Sequence, residues 1–341
     1  MLKGRELSIT NLLLLNEING LREDYVKENL SRVEELMGAG YLKIAPPEET
    51  LNCLTISQLK GILRDNQQKL TGNKPELLKR IIKNISPEKY SARLPKIYKA
   101  TKIGRRELET RWAYIENQRE MYGFLNSEIA VLEGTNTQEQ LLEKLFVRDI
   151  VKQGAARNFG LLRNVYFNAH KFFKKRGRLA DSISALLAAI YFDLTGMGNN
   201  NTVESYFTMG YLFETSLWSE LDKERTALNL SDAELMLLFD DAVDAATKPP
   251  FSYFEVGTMK EMILARLSGQ QDLLNRYEKY RKLPSENNPN YNYFDLSRPY
   301  NSSEGEEIIQ KLAAGEISSK SGCSAFFIFL VAIFLINRYS F

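Results

Sequence analysis

From Thr137 to Tyr280 apolar residues recur three and four positions apart, through Leu141, Leu145, Leu161, Leu162, Val165, Ala169 and Phe172 and then Leu186, Leu187, Ile190 and Tyr191. Residues at that spacing share one face of a helix and would scatter over both faces of a strand, so the stretch is constrained to long packed helices. Glycine, asparagine and proline break the pattern at Gly196 to Asn201 and at Lys248-Pro249-Pro250. Residues 137–283 are therefore expected to form a helical domain, and the fold class expected for the chain is mainly α. With 341 residues, 44% hydrophobic and 26% charged, there is room for two or three domains and a sizeable core.

The segment 54–85 reads as two short helices around a glycine turn. Thr55 is placed to cap a first helix with Leu59, Ile62 and Leu63 on one stripe, ending near Gln67. Gly72 supplies the positive φ that a sharp reversal needs, and Asn73 caps a second helix with Pro75 in its first turn and Glu76 placed for a capping box. Leu77, Leu78, Ile81, Ile82 and Ile85 repeat at helical spacing, so two apolar faces meet across the turn. Lys60, Arg64, Lys69, Lys74, Lys79, Arg80 and Lys83 stand against Asp65 and Glu76, a local charge of +5 where the whole chain carries +2. A cationic surface of this kind meets phosphates by counterion release, with salt-sensitive and largely sequence-independent affinity. The alternative for a charged hairpin is a solvated face that binds protein.

The order T-x-x-x-L-K then L-x-G-x-K-x-E-L-x-x-R, carried by Thr55, Leu59, Lys60, Leu70, Gly72, Lys74, Glu76, Leu77 and Arg80, resembles a SAP module. That family is a small helix-turn-helix-like DNA-binding element, and the resemblance covers about a tenth of the chain. Gln67 and Gln68 depart from it, standing where the family often has a glycine and a hydrophobic residue. The resemblance together with the charge implies low-specificity DNA binding, with phosphate contacts from Lys60, Arg64, Lys69, Lys74, Lys79 and Lys83. Leu59, Leu63, Leu77 and Ile81 are expected to hold the hairpin closed. A bacterial or phage setting is expected on the same basis.

The flanks of this hairpin look like one unit, and residues 1–125 are expected to form an N-terminal DNA-binding region. Thr10 to Asn16 and Asp24 to Met37 read as helices, Gly38-Ala39-Gly40 stops the second, and Tyr41 to Ile44 is extended. Lys96 to Thr101 is a second extended piece, followed by Gly104 and a helix from Arg105 toward Gln118. This order resembles a winged-helix domain whose wing is split by the insertion; the alternative is a helical collar supporting the hairpin. Further on, the two helices joined at Gly177 resemble a tetratricopeptide-like pair, although no 34-residue period recurs.

Residues 284–321 form a polar linker, and 322–341 a hydrophobic tail containing the apolar run Ala325 to Ile336. A dozen helical residues span about 18 Å, short of a hydrocarbon layer of roughly 30 Å, whereas the whole of 322–341 reaches that length. The tail is expected to anchor the protein to the cytoplasmic face of a membrane, with a buried C-terminal helix or an amphipathic or aberrant end as the alternatives. Cys53 and Cys323 have no paired spacing and suit a reducing cytoplasm, and the start MLKGRELSIT shows no secretory signal.

Catalytic constellations are sparse. His170 is the single histidine and sits in an amphipathic helix, where packing is its expected role. Gly196-x-Gly198 lacks the third glycine of a dinucleotide loop, and no phosphate-binding G-x-x-x-x-G-K-[ST] occurs. Asp240, Asp241 and Asp244 read as a solvated face, Lys171, Lys174, Lys175, Arg176 and Arg178 as a cationic helix end, and Trp112, Tyr114 and Tyr122 as packing aromatics. The expected activity is binding without catalysis, cofactor or metal. The rival is a membrane-linked scaffold whose helical body binds a protein partner and whose hairpin is a structural adaptor.

Overall fold

The computed structural model describes residues 7–198 and 215–282, together with Val203, Tyr206, Met209, Leu212 and Phe213 between them. Fifteen α-helices and one two-stranded sheet occur among these residues, so the chain is mainly α. It divides into two compact units that meet at Gln138 and Glu139. The linker and hydrophobic tail expected at 284–341 lie outside the described residues. Among the described residues no helix is long and apolar enough to cross a membrane.

In the first unit α1 (Ile9–Ile18) is capped by Ser8, whose side chain accepts from Asn11 N–H, and it buries Leu12, Leu14, Leu15 and Ile18. Next come α2 (Leu30–Gly38), β1 (Leu42–Ile44), the short α3 (Pro47–Thr50), α4 (Ile56–Asp65), α5 (Lys74–Asn84) and β2 (Tyr98–Ala100), then α6 (Lys102–Thr110), α7 (Trp112–Glu120) and α8 (Asn126–Leu132). The helix expected over Asp24 to Met37 is instead two 3-10 turns followed by α2. Its beginning is held to the sheet: Tyr98 N–H donates to Leu21 O and Glu23 N–H to Lys96 O, so the chain leaves that pairing before it can wind into an α-helix. Likewise the helix expected from Arg105 to Gln118 breaks at Arg111. The Arg111 guanidinium turns inward to donate to Leu7 O at 2.7 Å and to Glu133.

The two extended pieces pair antiparallel, Leu42 opposite Ala100, Lys43 opposite Lys99 and Ile44 opposite Tyr98. The free edge of β2 is also covered, because Gly20 N–H donates to Tyr98 O and Ala100 N–H to the Asn19 side chain. The pattern Thr101-x-x-Gly104 has a physical basis. The Thr101 hydroxyl donates to Gly40 O and accepts from Gly104 N–H, which starts α6. At Gly104 a Cβ would run into the Tyr41 carbonyl oxygen, so only glycine lets α6 lie this close to the sheet. The chain that holds α4 and α5 therefore leaves β1 and returns to β2 at neighbouring strands, and α1, α2, α6 and α7 pack around that base.

The second unit contains α9 (Gln138–Ala155), α10 (Phe159–Lys175), α11 (Leu179–Thr195), α12 (Leu217–Ala227), α13 (Asp232–Ala245), α14 (Val256–Leu267) and the short α15 (Leu273–Tyr277). Helix α11 is apolar nearly all round and is buried along most of its length against α10, α12 and α13, as a helix without a polar face requires. Arg163 on α10 holds Asp193 on α11 through two bonds of 2.8 Å, a bidentate pair inside the helical stack. The proline break expected at Pro249-Pro250 falls between α13 and α14.

Candidate nucleic-acid interface

Helices α4 and α5 form a closed hairpin whose ends are fixed by local chemistry. Thr55 accepts from Gln58 N–H while its own N–H donates to the Gln58 side chain at 2.8 Å, a reciprocal cap. Asn73 and Glu76 repeat the arrangement at the start of α5, with bonds of 3.1 and 3.2 Å. Gly72 has φ +127°, a left-handed conformation that L side chains rarely adopt. Helix α4 ends at Asp65, slightly earlier than expected, and Gln67 takes φ +54°, so this glutamine occupies a backbone position that glycine fills more easily.

The hairpin has its own core. Leu59, Leu63, Leu77 and Ile81 are fully enclosed, joined by Ile62, Ile85, Leu54 and two residues outside 54–85, Leu51 and Tyr90. Sequence periodicity alone misses those two because they lie in short turns flanking the helices, where no apolar repeat marks them. The stripe expected on α5 is narrower than its spacing suggests. Ile82 is 51% exposed, whereas Leu77 and Ile81 of the same helix face α4 and the flanking residues Leu51 and Tyr90.

The six candidate contacts divide by what their side chains already do. Arg64, Lys69, Lys79 and Lys83 are exposed and Lys60 is half-buried, and none of the five makes an ion pair or side-chain hydrogen bond among the described residues. Lys60 and Arg64 lie four apart on α4, and Lys79 and Lys83 four apart on α5, so each pair shares a helix face. Lys74 differs, since its ammonium donates to Asn52 O at 2.7 Å and helps tie α5 to the turn before α4. Arg80, counted in the local charge, spans the connection by donating to Lys69 O and Thr71 O. Of the two acidic groups, Asp65 pairs with Arg93 and Glu76 is occupied in its cap, so neither neutralises the exposed lysines.

The second basic cluster is built differently. Lys174 lies 3.4 Å from Glu224, Arg178 bonds both oxygens of Glu143 as well as Asp181, and Arg176 stacks on Phe172. Those cations are spent on acidic partners and aromatic faces within the helical unit. His170 is fully buried between the Ser182 hydroxyl at 2.9 Å and the Glu220 carboxylate at 2.8 Å. Ser182 and His170 are both wholly enclosed, so this serine, histidine and glutamate in series presents no nucleophile to a substrate. Asp240 pairs with Lys260 and Asp244 with Lys248. Tyr114 and Tyr122 are buried, with hydroxyls donating to Glu133 and Glu116, so they pack rather than offer a stacking face. No protein-family model, no curated protein and no solved structure matches the chain.

Proposed function

We propose that the α4–α5 hairpin is a SAP-like nucleic-acid-binding element that holds DNA through phosphate contacts with little sequence preference. The observation that carries this reading is the set of five cations, Lys60, Arg64, Lys69, Lys79 and Lys83, exposed or half-exposed on a hairpin with its own core and without an acidic partner among the described residues. Phosphate contacts position a protein on a duplex and carry no sequence information, so specificity is low. In this proposal Lys74 contributes more to the hairpin than to the ligand. The supporting body has a winged-helix-like order, the helical unit with its tetratricopeptide-like pair α10–α11 serves a protein partner, and residues 322–341 attach the protein to the cytoplasmic face of a membrane. The protein acts by binding, without catalysis.

The test is Lys79→Glu with Lys83→Glu, two exposed positions whose replacement breaks no ion pair or hydrogen bond of the hairpin. Duplex affinity is expected to fall and its dependence on salt to flatten, by about 0.9 in the log–log slope for each phosphate that is no longer engaged. Unchanged affinity and slope would remove the reading. A second reading, in which the hairpin is a protein adaptor, is favoured by the exposure of Ile82 and Ile56 at 51% and 46%. It predicts that Ile82→Ser abolishes capture of a protein partner while duplex binding, if any, is independent of Lys79 and Lys83.

A further inference from the structure

We propose that the outer face of the β1–β2 sheet and the first turns of α6 form a second phosphate-binding surface, through Lys43, Lys99 and Arg105, that extends the hairpin's interface along a nucleic-acid backbone. The inference rests on the reading of the hairpin given above, and it concerns residues outside that hairpin. Lys43 and Lys99 stand directly opposite each other in the antiparallel register, so their side chains share one face of the sheet. Like charges at facing positions destabilise a strand pair, and a sheet shaped for stability alone would place opposite signs there. On the other face Leu42, Tyr98 and Ala100 are buried against the body of the unit, while Ile44 at the end of β1 is partly exposed.

Arg105 brings a third cation to the same place. It is exposed and donates to Ala100 O at 3.2 Å, which holds its guanidinium at the end of β2. Glu49 is ion-paired with Lys99, and its carboxyl is held below the usual range, first by the bond from Lys99 and then by the charges of Lys43 and Arg105. Three cations thus gather around one carboxylate, and the surplus is positive. Lys43 makes no ion pair among the described residues, in contrast to the neutralised cations of the helical unit. A guanidinium beside two ammonium groups, two of the three cations exposed, suits the repeating anionic oxygens of a phosphate backbone. Because the hairpin chain leaves β1 and returns to β2, this face lies at the base of the same element.

The test uses the full chain and a labelled duplex, with affinity followed between about 50 and 200 mM salt at ~0.9 of slope per contact. Lys43→Gln with Arg105→Gln is expected to lower the slope by about 1.8, so that the rise in salt weakens it about 12-fold less than the wild type. Lys43→Gln alone breaks no ion pair, and its drop in affinity with salt should still be about 3.5-fold smaller than that of the wild type. Lys43→Arg with Arg105→Lys should keep the wild-type slope. Wild-type slopes in both glutamine variants, beside a reduced slope in Lys79→Gln with Lys83→Gln, would overturn this proposal and leave the hairpin reading standing. The converse pattern would remove the hairpin reading and, with it, the claim that the sheet extends the hairpin's interface. Failure of the wild type to bind duplex at low salt, or its binding to phosphatidylserine vesicles in place of duplex, would overturn both.

Discussion

Leu77→Ala should open the hairpin while leaving the rest of its unit folded. Leu77 is fully buried in a small cluster formed by Leu51, Leu54, Leu59, Ile62, Leu63, Ile81, Ile85 and Tyr90. The substitution removes three carbons, about 2.4 kcal/mol of transfer free energy at ~0.8 kcal/mol each. Because the site is enclosed on both helices, the residual cavity raises the cost to roughly 3–4 kcal/mol. A body of about 50 residues holds only about 2.5–7.5 kcal/mol of stability in total, so the change removes a large part of what keeps α4 against α5. Native-state hydrogen exchange reads this directly, since about 3 kcal/mol of easier opening accelerates exchange about 150-fold. The acceleration is expected in α4 and α5 and not in α1, α6 or α7, which draw on Leu12, Leu15, Ala113 and Tyr114 instead. An increase below about tenfold, or an equal increase across α1, α6 and α7, would refute the idea that the hairpin core is a separate cooperative unit.

Tyr90→Phe should be neutral or stabilising by up to about 1 kcal/mol, because the Tyr90 hydroxyl is buried without a hydrogen-bond partner among the described residues; a clear loss of thermal stability would count against that. Gly104→Ala should cost about 1–3 kcal/mol, since the new methyl group meets the Tyr41 carbonyl oxygen and α6 must move off the sheet, and an unchanged melting temperature would contradict it. Burial, then the bond to Glu133, push the Tyr114 phenol up to about 12. The folded value lies above the unfolded one of about 10, so this contribution is intact below pH ~10 and is lost as pH rises through about 12. Denaturation midpoints of the wild type should therefore fall more steeply over that interval than those of Tyr114→Phe, and parallel slopes would sink the assignment.

What is legible in the sequence is local. The caps at Thr55 and Asn73, the left-handed Gly72 and the enclosure of Leu59, Leu63, Leu77 and Ile81 all depend on neighbours within a few residues, and the structure bears each out. The two extended pieces flanking the hairpin are also readable, because Gly38-Ala39-Gly40 and the Thr101 cap punctuate them. Features set by distant backbone are not. Nothing near Arg80 in sequence says that it spans the connecting turn, and nothing near Lys74 says that Asn52 O awaits it. The same holds for the 3-10 turns before α2, which exist because residues 96–98 pair with that segment. Helical spacing places Ile82 on the stripe with Ile81, but how much of a stripe is covered depends on the number of helices packed against it. The exposed hairpin lysines Lys69, Lys79 and Lys83 keep no side-chain partner among the described residues that could reveal their ligand, so the interface is legible as a pattern of charge and not as a set of pairings.

The most direct test of the account is fluorescence anisotropy of a labelled duplex titrated with the full chain at about 50 and 200 mM salt. Three to five phosphate contacts from Lys60, Arg64, Lys69, Lys79 and Lys83 predict on their own an affinity roughly 40- to 500-fold weaker at the higher salt, from ~0.9 of slope per contact. Absence of binding at about 50 mM, or equal affinity at both concentrations, would contradict a phosphate-directed hairpin.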